Sequence, residues 1–132
     1  MLRIAIGLVL FAHGIGHSLG LLQVFGVAAI QPAWRGDSWL FGIDGAGAAI
    51  LAAVLWTAAI VGFVVLAGIV VGWLPDGWWV PLAIGSALVS LAGLALFPAA
   101  FPTTSLVGAV IVNVALVAAV LWLRWSPADL AT

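Results

Sequence analysis

Only seven charged side chains occur in 132 residues, and their spacing constrains the fold more than any other feature. From Thr104 to Leu123 the chain reads TSLVGAVIVNVALVAAVLWL, with no charge before Arg124. Three further apolar runs have similar boundaries. One extends over about Ile4–Ile30, between Arg3 and Gln31-Pro32; another over Gly45–Leu74, between Asp44 and Pro75-Asp76-Gly77; a third over Trp78–Phe97, closed by Pro98. Each reaches the roughly 20 residues a helix needs to cross a ~30 Å hydrocarbon core.

Soluble domains carry about 25% charged residues, because their surfaces face water. Here the share is 5%, against 67% hydrophobic, so the solvent for most of the surface is lipid. Lipid admits only helices or closed barrels as spanning structures. Barrel strands would alternate polar and apolar residues over about 10 positions, and no such alternation occurs. The expected fold is therefore all-α: a four-helix transmembrane bundle, up-down-up-down, in one domain. The spans are expected at 4–30, 45–74, 78–97 and 104–123, with an interfacial loop over 31–44.

Asp44, Asp76 and Thr103 stand where helix N-caps belong. Pro75, Pro98 and Pro127 fall at or beyond helix ends, where a missing N–H does least harm. Short connections favour antiparallel packing of sequential neighbours. The first run is too long for an ordinary signal-peptide core, and Leu10-Phe11-Ala12 is a poor cleavage site. Trp34, Trp39, Leu40 and Phe41 surround Arg35 and Asp37, which suits a short interfacial helix or tight loop.

Four spans put both termini on one side. That side carries Arg3 and Arg124; the other has Arg35 with Asp37 and Asp44, so cytoplasmic termini are expected. Heavy use of Ala, Gly, Val, Leu and Trp, without lysine, points to a GC-rich bacterial coding sequence and a plasma membrane. Trp73, Trp78, Trp79, Trp122 and Trp125 would form an interfacial belt at the cytoplasmic face, with Trp34, Trp39 and Phe41 at the opposite one. Trp56 falls in mid-span and has no such explanation.

A net charge of −1 gives no electrostatic case for nucleic acid, and the absence of cysteine excludes disulfides, thiolate metal sites and thiol nucleophiles. The remaining chemistry lies within the spans. At 1.5 Å per residue, His13 sits ~13 Å and His17 ~20 Å from the start of the first run. Ser86 and Ser90 of the third run reach ~12 and ~18 Å, and Asn113 of the fourth comes ~14 Å from its other end. Thr57 falls at a similar level, so a polar layer of His13, His17, Thr57, Ser86, Ser90 and Asn113 is expected near mid-membrane. His13 and His17 share one helix face, as do Ser86 and Ser90. Gly16 and Gly20 form a small-xxx-small pair that would admit a neighbouring helix, placing the first span at the bundle centre with its histidines inward.

Two readings of the histidines stand side by side. Imidazoles can serve as interhelical glue, bonded to Asn113, a serine or a carbonyl, each contact worth about 0.6–2 kcal/mol. Alternatively, intramembrane ionisable residues mark a pathway or ligand site. His13 and His17 are weak metal candidates, because zinc wants four ligands and no intramembrane carboxylate or cysteine supplies the rest. Haem needs axial ligands from opposite sides, which i,i+4 histidines on one helix do not give. A Ser-His hydrolase would lack a carboxylate to orient its base. No cofactor is expected. The leading function is a binding or accessory protein that holds a small ligand, a lipid or a membrane partner at the polar layer. A homodimeric proton-linked transporter, or a His-ligated metal or haem protein, is the alternative.

Overall fold

In the computed structural model, which describes residues 1–130, the chain is all-helical and has four helical spans long and apolar enough to cross a membrane. The first span, Leu2–Val24, consists of α1 (Leu2–Gly16) and α2 (Ser18–Val24), joined at His17. The others contain α3 (Gly45–Val71), α4 (Trp79–Leu96) and α5 (Thr103–Leu121). Sequential spans pack antiparallel in one compact domain, and Arg3 donates from its guanidinium to the Pro127 carbonyl at 2.8 Å, tying the two terminal segments together.

Glycines set the helix ends earlier than the charges do. Gly26, at φ +68°, takes the left-handed conformation, and the Val27 and Gly26 amides return to the carbonyls of Leu22 and Gln23 at 2.8 and 3.1 Å. That Schellman closure satisfies orphan carbonyls and stops the first span at Val24, six positions short of Ile30. Gly72, at φ +86°, ends α3 at Val71 in the same way. At the N-termini, Asp44 holds the cap position without a side-chain cap bond. Pro75 and Pro102 occupy the positions expected for Asp76 and Thr103, which become the first residues of a 3-10 turn and of α5.

The central helix is α3, not the first span. The first span and α4 both pack on it, and it is buried over 39% of its apolar window, as is the α4 span, against 28% for the first span and 17% for α5. The reason lies in three glycines. A Cβ on Gly7 would come within 2.7 Å of Val71, one on Gly14 within 2.7 Å of Phe63, and one on Gly20 within 2.6 Å of Trp56. Their absent side chains let α1 and α2 lie close along α3 in antiparallel register. At His17 the amide bonds Gly14 O, three residues back, at 3.1 Å. This 3-10-like tightening advances the helix face, so that Gly20 rather than Leu21 continues the contact with α3. Gly16 plays no part in it: a Cβ there meets nothing within 4 Å.

Residues 31–44 form a tight loop without a helix, folded over the end of α4. The last carbonyls of a helix lack intrahelical donors, and in lipid they need substitutes. Ser38 Oγ donates to Leu96 O at 2.8 Å, and the Trp39 indole N–H donates to Ala95 O. Ser38→Ala should therefore lower stability by about 1 kcal/mol, the worth of one buried hydrogen bond, as measured by thermal unfolding in detergent. An unchanged melting temperature would contradict the capping role.

The aromatic belt is narrower than the sequence implies. Trp73, Trp78 and Trp122 are exposed at the terminal end, and Trp39 and Phe41 at the other. Trp79 is instead buried, donating its N–H to the Trp125 carbonyl at 3.1 Å with the two rings edge to face. Trp34 packs on Trp56 and Phe97.

Candidate functional site

Three spans converge on one hydroxyl. Ser90 of α4, fully buried, lies 2.8 Å from His17 Nε2 and accepts an N–H from Asn113 Nδ2 of α5, also at 2.8 Å. Asn113 donates a further bond to the carbonyl of Ala109, one turn back, at 2.9 Å. Of the partners the sequence offers His17, it is the serine that is met, and Ser90 joins His17 to Asn113. The spacing explains this: Ser90 lies on the buried face of α4 with Ser86, Ala87 and Gly93, between the first span and α5.

The network is incomplete. His17 Nδ1, His13 Nε2 and Asn113 Oδ1 are buried and lack a hydrogen-bond partner among the described residues. His13 packs edge to face on Phe63 at 4.4 Å, with its ring 5.3 Å from that of His17. No hydrogen bond joins it to Asn113. Neutral imidazole carries one N–H and one lone pair. With His17 Nε2 committed to Ser90, its Nδ1 is orphaned as either donor or acceptor. Buried polar groups without partners cost about 1–3 kcal/mol each, so three in one place call for an explanation.

Beside them, α5 stands away from the first span. The space between is a cavity of about 400 Å³, walled by His13, His17, Gly16 and Leu19 on one side and by Ser105, Gly108, Ala109 and Val112 on the other. A Cβ on Gly16 or Gly108 would meet nothing within 4 Å, and neither glycine has a positive φ. Both glycines line the opening and leave it wider than longer side chains would. A second cavity of about 450 Å³ continues towards the terminal end, lined by apolar groups including Ala115, Ala119, Trp79 and Trp125. The two share Val9 and Val112, making one groove along α1 and α5.

The expected polar layer therefore divides. His13, His17, Ser90 and Asn113 come together; Thr57 and Ser86 do not join them. Thr57 follows the inward-facing Trp56, which turns it about 100° off the core, and it is exposed in a separate groove between α3 and α4. Ser86 faces Gly62 and lines that same groove. Gly20 is a packing residue, whereas Gly16 lines the site. Gly108 was not anticipated, although the small side chains of Ser105, Gly108, Ala109 and Val112 share a helix face at spacings legible in the sequence.

Among the described residues no group of three or more His, Cys, Asp or Glu side chains is placed to hold a metal ion. No family model, no curated protein and no solved structure matches the chain.

Proposed function

We propose that this integral membrane protein is a binding protein that holds a small amphipathic molecule from the bilayer between its first span and α5. The observation that carries this reading is the coincidence of two unpartnered buried imidazole nitrogens, His13 Nε2 and His17 Nδ1, with a groove whose wall includes both histidines and two glycines. A polar head would complete the hydrogen bonding at His13 and His17, and an apolar body would lie along Val9, Val112 and Ala115. No charged side chain lines either cavity, which favours a neutral head, since an unpaired charge at this depth is expensive.

A ligand that binds the folded state stabilises it by mass action. Stripped of co-purifying small molecules by extensive detergent washing, the protein should lose thermal stability and regain it on addition of a total bacterial lipid extract. Gly16→Leu/Gly108→Leu, which fills the groove, should show neither loss nor recovery. Equal responses from both proteins would overturn the proposal.

We further infer a bacterial plasma membrane with both termini cytoplasmic, supported by Arg3 and Arg124 at the terminal end against Arg35 with Asp37 and Asp44 at the other. A reporter fused after Thr132 should be active only in its cytoplasmic form, and one inserted within residues 33–38 only in its periplasmic form. The reverse pattern would invert the assignment.

A further inference from the structure

The hydroxyl that joins three spans also decides which hydrogen-bonding role is left open at the groove. Asn113 Nδ2 has two N–H groups; one goes to Ala109 O and the other to Ser90 Oγ. A carbonyl only accepts, so the amide cannot be turned round. Ser90 Oγ therefore accepts from Asn113, and its own proton needs an acceptor. His17 Nε2, 2.8 Å away, is the one acceptor in hydrogen-bond contact with it among the described residues. Asn113 Oδ1 forms no hydrogen bond. An imidazole at this depth is neutral, because an unpaired charge there is expensive, and it carries one N–H. A proton on Nε2 would point at Ser90 and strand the hydroxyl proton of a fully buried side chain, along with Nδ1. With Ser90 as the donor, only Nδ1 is left over, and it bears the proton. Resting on the binding reading above, we infer that Ser90 fixes His17 as the Nδ1–H tautomer, so that the groove offers a hydrogen-bond donor and its occupant is a neutral lipid whose head presents an acceptor oxygen, as a carbonyl does.

His17 walls the groove beside His13, and no bond joins the two rings, which stand edge to face with centroids 5.3 Å apart. A carbonyl oxygen has two lone pairs, enough for the His17 Nδ1–H and for an N–H at His13 Nε2. A wholly apolar occupant would leave both imidazoles bare. A carboxylate would bring a charge that no side chain lining the two cavities offsets. Beyond the histidines the groove is walled by apolar groups as far as Trp79 and Trp125. Along it α5 rises ~16 Å from Gly108 to Ala119, which sets the length of an alkyl tail.

Two measurements on the washed protein in nanodiscs test this. Nitrogen NMR of isotope-labelled histidine tells a proton-bearing ring nitrogen from a bare one, and with only two histidines in the chain, His13→Phe identifies the signals of His17. His17 should carry its proton on Nδ1, and Ser90→Ala should populate both positions. A proton on Nε2 in the unaltered protein, or an unchanged spectrum in Ser90→Ala, would overturn the tautomer assignment. The second measurement compares tetradecan-2-one with 2-methyltetradec-1-ene, in which a methylene replaces the carbonyl oxygen. Binding is read as the ligand-dependent shift in thermal unfolding at equal mole fraction in the bilayer. The ketone should bind about fivefold more tightly than the alkene, the equivalent of one net hydrogen bond. That preference should vanish in His17→Phe, and binding of both probes should vanish in Gly16→Leu/Gly108→Leu. The comparison in the unaltered protein decides the matter even if His17→Phe fails to fold. Equal affinities that are both lost on filling the groove would overturn the acceptor head and leave the binding reading intact. Responses indifferent to groove filling would overturn both.

Discussion

Shortening Trp56 to alanine should cost the bundle about 3 kcal/mol, the largest loss of any single truncation in the chain. Its indole is fully buried, with the rings of Trp34, Phe97 and Phe101 at 5.9, 5.8 and 5.3 Å. Large-to-small changes of this kind cost 3–5 kcal/mol in soluble cores. The lower end applies here, because unfolded helices stay in lipid and little transfer energy is lost; what disappears is packing. The opposite change is also damaging. A methyl on Gly20 would lie within 2.6, 2.7 and 2.9 Å of three indole carbons, and overpacking of a rigid ring costs about 1–3 kcal/mol. In Gly20→Ala/Trp56→Ala the methyl enters the space the indole vacates, so the double variant should lose less than the sum of the single ones. Gly16→Ala is the control: with nothing near, it should be neutral or gain up to about 1 kcal/mol from helix propensity. Unfolding in mixed detergent micelles measures all four. Strict additivity, or equal damage from Gly16→Ala and Gly20→Ala, would contradict the packing described.

Ser90→Ala should produce the second largest effect, a loss of about 1–3 kcal/mol. It removes two bonds at once, the contacts to His17 and to Asn113, each at 2.8 Å. Intramembrane hydrogen bonds average about 0.6 kcal/mol and reach about 1.7. Two such contacts, with two polar groups newly stranded, account for the range. His17→Leu and Asn113→Leu should each cost less than Ser90→Ala. On the Ser90→Ala background either should cost little more, since the bond it removes is already gone. Thr57→Ala, at an exposed position on the other groove, should be silent. Independent, additive losses for His17 and Ser90 would show that the bridge does not exist in the membrane.

The four spans are legible because charge is so rare that its positions outline the helices. The helix ends are less so, because Gly26 and Gly72 close helices through backbone conformation while apolar residues continue beyond them. A hydropathy pattern does not register that change; a C-cap glycine signature does. The contact face of the first span was anticipated at Gly20 but not at Gly7 and Gly14, for a related reason. Gly16 and Gly20 satisfy the four-residue motif, but antiparallel packing uses seven-residue steps, hence Gly7 and Gly14, and the tightened turn at His17 then brings in Gly20. Depth in the membrane was enough to group His17, Ser90 and Asn113. It could not exclude Thr57, because depth fixes a level and not a face, and the face of Thr57 is set by Trp56 turning inward. That Ser90 mediates between His17 and Asn113 follows from α4 reaching both the first span and α5, which local periodicity does not encode.

Native mass spectrometry of the protein released gently from membranes addresses the binding site most directly. A groove occupied in the membrane predicts a wild-type spectrum with a single added mass, that of one small neutral lipid per chain. The added mass should be absent from Gly16→Leu/Gly108→Leu, which should retain the wild-type fold. The same adducts on both proteins, or none on either, would contradict it.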